Sequence, residues 1–278
     1  REIVEDAEDV GCTPAIASRV IYAPGHFRNS YEEASFEQMY ALMTEAALWG
    51  ADTWGDWFDT NDMTNPYGSE IADTRTSRMY WENKIDLLRA AQEVGLRVHI
   101  WISPNHVFVD QVTKDLMAVK DLPDETPCEG RRHVRGNLIC PSKPEARRII
   151  IENYRRLFAD LDRHGVELDD ASFGFYDNGG CLCDQCRPWA QTVLELASEI
   201  RALGLERFPE CRFDIAGWYL SQTEIDRIAR MHTEGTWPWI EGLQFALSGG
   251  SRDVEPMAAL EGIGKELFVN LGYSANNV

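Results

Sequence analysis

Residues Glu145 to Gly180 read EARRIIIENYRRLFADLDRHGVELDDASFGFYDNGG. In the first half, Ile150, Tyr154, Leu157, Phe158 and Leu161 recur at the spacing of one helical face, so the stretch predicts an amphipathic helix. Gly165 stops it, because a glycine enters the left-handed region that ends a helix at little steric cost. The second half turns to a short apolar run, ASFGFY, that ends in Asp177 and Asn178 and then two glycines. A helix, a glycine, then a strand with a polar end is the repeating unit of a parallel α/β fold.

Working outward, the same unit recurs on both sides. Upstream, helices are predicted at Phe36 to Trp49 and Met79 to Val94, stopped by Gly50 and Gly95 and followed by the strands ADTWGDWFD and LRVHIWISPN. Downstream come a helix from Trp189 to Leu203, the strand CRFDIAGWYL, a helix from Glu224 to Met231, the strand EGLQFALSGG, a weak helical stretch near Met257 and the strand ELFVNLGYS. With RVIYAPGH near the start, seven strands alternate with helices. Doubly wound sheets and closed barrels share that alternation. Two features favour the barrel: no glycine-rich phosphate loop follows the first strand, and nearly every strand ends in aromatic or polar residues. The expected fold is therefore α/β, a (β/α)8 TIM barrel incomplete at its C-terminal end, as one domain over 1–278 within a longer chain. A long segment between the third strand and Pro144 has the length of a functional or disordered loop.

Composition excludes several classes of function. The 278 residues are 44% hydrophobic and 26% charged, with no apolar run near the roughly 20 residues of a membrane span. A formal charge of −19 repels phosphate backbones and anionic membrane surfaces, so neither nucleic acid nor membrane is an expected partner. Seven cysteines fit a fully paired secreted framework poorly, and reduced or ligated thiols lean towards the cytoplasm. Oligomeric state leaves no mark on the sequence.

In a barrel of this kind, reactive groups sit at the C-terminal strand ends. Those positions hold Trp54, Asp56, Trp57 and Asp59 on the second strand, Trp101, Asn105 and His106 on the third, and Asp177 and Asn178 on the fourth. Trp218 and Tyr219 end the fifth strand, Gln244 lies on the sixth and Tyr273 ends the seventh. Indole faces with amides and hydroxyls suit a sugar, whose C–H faces stack on aromatic rings while its hydroxyls take hydrogen bonds. Trp54, Trp101, Trp218 and Tyr219 are the expected platform, with Asn105, His106, Gln244 and Tyr273 as polar contacts. Asp177 is the expected general acid, since a carboxyl at the rim of an aromatic pocket loses solvation when ionised and its pKa rises. Asn178 would position substrate or water, and Asp56 or Asp59 would act as base or nucleophile. An Asx-turn at Asp177 is the structural alternative.

After the two glycines, CLCDQC supplies Cys181, Cys183 and Cys186 within one loop. Three thiolates need a fourth partner to complete a tetrahedral zinc site, and Cys140 is preferred over Cys128 for that place. With no open position the zinc would be structural; no organic cofactor is expected. A disulfide within the motif or free thiols are the competing readings.

FYDNGGCLCDQC, with NLICPSKPEARRIIIENYRRL before it, resembles barrels of the large glycoside hydrolase group, including bacterial glycosidases that carry a strand-four carboxylate and then C-x-C-x-x-C. The zinc-containing β-galactosidases are similar in this stretch. The resemblance implies an acid/base role for Asp177 and metal ligation by Cys181, Cys183, Cys186 and Cys140. The seventh strand, FVNLGYSANN, lacks the nucleophilic Glu of those galactosidases. The Asp177–Asn178 pair is more similar to the acidic pair of hexosaminidase-type barrels, in which the substrate's own acetamido group is the nucleophile. The expected activity is hydrolysis of glycosidic bonds of a neutral or N-acetylated sugar; a catalytically silent carbohydrate-binding barrel is the alternative.

Overall fold

The computed structural model describes residues 19–22, 34–58, 60, 63–68, 72–127, 132–174, 179–216, 220–240, 242–246 and 264–268. Strands β1 (Val20–Tyr22), β2 (Thr53–Trp57), β3 (Arg97–Ile102), β4 (Asp170–Gly174), β5 (Arg212–Ala216), β6 (Gly242–Ala246) and β7 (Gly264–Phe268) form one sheet. Neighbours pair in parallel and in chain order throughout, without the reversal of order that marks a doubly wound sheet. Helices α1 (Phe36–Leu48), α2 (Ala72–Glu93), α3 (Pro144–Arg163), α4 (Trp189–Leu205) and α5 (Gln222–Thr233) supply the crossovers up to β6. Helix α2 begins before the predicted Met79, because its opening turns, ADTRTSR, are helical without an apolar stripe. The stretch near Met257 lies outside the described residues. Among the described residues β1 and β7 are the two ends of the ladder.

The helices end as the glycine spacing predicts: Gly95 (φ +86°) and Gly165 (φ +72°) follow α2 and α3. Alternation along the strands then divides the core into two layers. Val98, Ile100 and Ile102 of β3, Phe173 of β4, and Phe213 and Ile215 of β5 pack with Leu88, Ile150, Leu157, Phe158, Leu161 and Ile200 of the helices. The intervening residues occupy the other face: Gly55 and Trp57, His99 and Trp101, Asp170, Ser172 and Gly174, Asp214 and Ala216.

This second face is also buried, and it is built around two indoles. Trp57 and Trp101 are each 1% exposed, their rings 6.4 Å apart. The Trp101 ring lies over β2, where a Cβ on Gly55 would come within 2.1 Å of it. Trp57 reaches across β3 to β4, where a Cβ on Gly174 would sit 2.5 Å from its ring. Both glycines are there because the indoles leave no room for a side chain.

Polar groups fill the remaining space in pairs. At the N-terminal strand ends, Asp170 accepts from Arg97 Nη2 and Arg212 Nε, each at 2.8 Å. Above it, Ser172 Oγ donates to Asp214 Oδ1 and lies 2.6 Å from His99 Nε2. Because the single hydroxyl proton is committed to Asp214, His99 carries its hydrogen on Nε2 and donates. Burial, then the positive charges of Arg212 and Arg97, push the His99 pKa down to about 3, so the ring is neutral at ordinary pH. It stacks on Trp101 with centroids 4.0 Å apart.

Candidate functional site

Two loops leaving the C-terminal ends of β3 and β4 meet and are held together at several points. The long β3–α3 segment is ordered where described: isolated antiparallel bridges join His106 to Leu138, Met117 to Ile139 and Asp121 to His133. The β4–α4 loop docks on it through Leu182 N–H, which donates to the Val119 carbonyl at 2.8 Å. Asn105 ties both loops at once, its Nδ2 donating to the carbonyls of Ile139 (3.2 Å) and Gly180 (3.0 Å).

Next to these two carbonyls, Cys140 meets Cys181, Cys183 and Cys186. The four Sγ atoms all lie within 4.8 Å of one another. Cys140 Sγ stands 3.7 Å from Cys183 Sγ and 3.7 Å from Cys186 Sγ. None of the four is in a disulfide, so that sequence alternative is not adopted. A regular tetrahedron with metal–sulfur bonds of about 2.3 Å has sulfur–sulfur edges of about 3.8 Å, so these spacings fit a four-thiolate zinc centre. The local chain favours that shape: Cys186 N–H donates to the Cys183 carbonyl at 3.0 Å, closing a turn that brings both side chains to one side. Ser142 Oγ approaches Cys140 Sγ at 2.9 Å.

The electrostatics of the cluster point the same way. S–H groups of Cys181 and Cys186 directed at Cys140 pull its pKa well below the thiol range. Sharing with Cys140 in turn pushes those of Cys181 and Cys186 up. Cys140 is thus the sulfur that these neighbours favour as a thiolate. A divalent cation at their centre would let all four ionise.

The predicted site residues do not share one place. Cys140, Cys181, Cys183 and Cys186 come together. Trp101 lies on the inner face, buried as a floor beneath the strand ends. Asn105 and His106 are 2% and 3% exposed, and Asn105 spends its amide on the two loops, a tie in place of the expected substrate contact.

Trp54 and Asp56 require correction. Both lie on the helix-facing side of β2, Trp54 in the core cluster and Asp56 against α2, where Lys84 Nζ stands 3.0 Å from Asp56 Oδ2. Lys84 also donates to the Trp57 carbonyl at 3.0 Å, and Trp57 N–H donates to Asp56 Oδ1 at 2.7 Å. Burial raises the Asp56 pKa and Lys84 opposes the rise. A carboxylate so enclosed does not face the strand-end rim. Strand parity explains the misreading: odd-numbered residues of β2 share the inner face, so Trp57 takes the place expected of Trp54.

Gln244 pairs in register with Ala216. Asp177, Asn178, Trp218, Tyr219 and Tyr273 lie outside the described residues, as do Asp59 and Cys128. The His99–Ser172–Asp214 chain escaped the sequence reading, and only the alternation of β3 to β5 could have signalled it. No helix among the described residues is long and apolar enough to cross a membrane.

No protein-family model matches the chain, and neither does any curated protein. Among solved structures it is similar to the galactosidase domain of the α-galactosidase-sucrose kinase AgaSK, at 14% identity and a TM-score of 0.48, over 91% of this chain and 37% of that one. The GH36 α-galactosidase AgaB from Geobacillus stearothermophilus gives 13% identity and 0.47, over 91% and 38% respectively. A hypothetical protein from Ruminiclostridium thermocellum ATCC 27405 gives 13% and 0.44, over 73% of this chain and 99% of that one. The chain thus spans little more than a third of the galactosidase chains it matches.

Proposed function

We propose that this chain is the (β/α)8 domain of a glycoside hydrolase, with Asp177 as the general acid and a structural zinc held by Cys140, Cys181, Cys183 and Cys186. The observation that carries the reading is the anchoring of the described residues on either side of Asp177 and Asn178: Gly174 ends β4, and Gly180 and Cys181 are held by the Asn105 amide and the cysteine cluster. Catalytic groups are held to within fractions of an ångström when their loop is tied to rigid elements at both ends.

Barrel closure is part of the same proposal. The inner face is 0–2% exposed at Trp57, His99, Trp101, Ser172 and Asp214, and among the described residues no helix layer covers it. A sheet that curls on itself buries such a face with its own side chains. A sugar would then bind at the rim of the strand ends, above the layer that Trp57 and Trp101 build.

In this reading the Asp177 carboxyl protonates the leaving glycosidic oxygen as the bond breaks through an oxocarbenium-like transition state. Asn178 holds the attacking group, which is the acetamido oxygen of an N-acetylated sugar or a water. Asp56, occupied by Lys84, is no candidate for the second carboxylate. The zinc, closed by four thiolates, supplies rigidity to the two loops and takes no part in the chemistry.

The test is Asp177→Asn on a panel of aryl galactosides and N-acetylglucosaminides of both anomers. Loss of a general acid is expected to lower kcat by about 10²- to 10⁴-fold on substrates with poor leaving groups, with sugar binding retained. Turnover equal to that of the parent protein would remove the proposal. The withdrawal of Asp56 favours a second reading, a carbohydrate-binding barrel without activity. Thermal shifts by sugars with no chromophore release from the whole panel would establish it.

A further inference from the structure

The four cysteines are not equally sheltered. Cys140 is 1% exposed and Cys181 and Cys186 are 0%, whereas Cys183 alone is partly open to solvent. It stands at the start of the turn Asp184–Cys186, its sulfur 3.7 Å from that of Cys140. Ser142 Oγ lies between the two loops, 2.9 Å from Cys140 Sγ and 3.7 Å from Cys183 Sγ. An oxidant arriving from solvent therefore meets one sulfur first, and that sulfur has a resolving partner in contact.

We propose that Cys183 is an oxidation site, through which a hydroperoxide converts Cys183 and Cys140 into a disulfide and opens the metal cluster. The Cys183 thiolate attacks one peroxide oxygen, the O–O bond breaks, and the departing oxygen leaves as water after taking a proton. The Cys140 thiolate then attacks the sulfenic sulfur, the S–O bond breaks, and a second water leaves with a second proton. Two thiolates lose two electrons in all, and hydrogen peroxide is reduced to two waters. Cys181 and Cys186, left as two ligands, take up protons and release the ion. Because Cys140 and Cys181 adjoin the two carbonyls that Asn105 holds, the bond would also disturb the joint between the two loops. This inference rests on the metal reading above only for the ion's release; the disulfide itself needs the cysteines alone.

The experiment uses the purified, reduced full chain loaded with zinc, and hydrogen peroxide as the probe. Released zinc is followed with a chromogenic chelator, and disulfides are mapped by mass spectrometry of non-reduced peptides. The expected result is zinc release with a Cys140–Cys183 cross-link, both reversed by dithiothreitol and re-addition of zinc, and release slowed at least tenfold in Cys183→Ser. A Cys181–Cys186 cross-link, or release from Cys183→Ser as fast as from the parent, would overturn the proposal. Should that variant fail to hold zinc, iodoacetamide labelling of the loaded parent decides. Cys183 is expected to react at least tenfold faster than the other three, and equal rates would sink the idea. A chain that binds no zinc but still forms the Cys140–Cys183 bond refutes the metal reading and with it the ion's release, and leaves the oxidation of Cys183 to the disulfide standing.

Discussion

Lys84 and Asp56 show how a single residue can be legible in kind and misread in place. Asp56 follows Gly55 in a strand rich in tryptophan, which in sequence is indistinguishable from a catalytic rim. The ammonium that claims it arrives from α2, 28 positions later in the chain. Side chains of the pair are 6% and 5% exposed, so neither charge has water to fall back on. Removing one partner of a buried ion pair typically costs about 3–5 kcal/mol, because the other is left charged and unpaired. Lys84→Met is therefore expected to lower unfolding stability by about that amount in a urea titration, and Lys84→Met with Asp56→Leu to recover most of it. A loss under about 1 kcal/mol in the single variant would mean that Asp56 is neutral in the fold. The cysteines were easier to read: C-x-C-x-x-C brings three thiols into one loop by spacing alone, and only the fourth, Cys140, required the two loops to meet in space.

Elements were readable where they carry a periodic apolar stripe bounded by glycine, as α1 and α3 do. They were less so where other forces set them. The opening of α2 has no stripe, and the β3–α3 segment, long enough to suggest disorder, is held by backbone bridges that no side-chain pattern announces. Alternation in the strands was visible, but its phase was not: which parity faces the helices is fixed by register, and TWGDW reads equally well either way. Register shows up most plainly in the glycines under the indoles. Gly174→Ala puts a methyl 2.5 Å from the buried Trp57 ring. Overpacking of this kind costs about 1–3 kcal/mol, and a melting temperature unchanged from that of the parent would contradict the inner-face placement of Trp57. In the loop that follows β3, Asn105→Ala leaves two buried carbonyls without their donor, at about 1–3 kcal/mol. The expected signs are faster zinc loss to a chelator and a lower melting temperature together. Lower stability with unchanged metal exchange would confine the role of Asn105 to packing.

At the scale of the whole molecule, the polar inner layer makes stability depend on pH in a window set by His99. Its folded pKa, pushed down to about 3, lies below the ordinary 6.5 of an exposed imidazole, so the unfolded chain binds more protons between those values. Linkage then requires stability to be complete above about pH 6.5 and to fall as pH drops towards 3. The limiting slope is about 1.4 kcal/mol per pH unit for one group. The cause is structural: a protonated ring would sit near Arg97 and Arg212 and have no water around it. Between pH 6.5 and 5 this effect acts above the ordinary titration range of the carboxylates, which separates the two. His99→Gln retains an N–H to donate to Ser172 and removes the titration. The parent protein is expected to lose urea-unfolding stability steadily from pH 6.5 to 5, and the variant to stay level over that range. Parallel slopes in the two proteins would place the acid sensitivity elsewhere, and with it the claim that the fold is stapled through its interior by a neutral histidine.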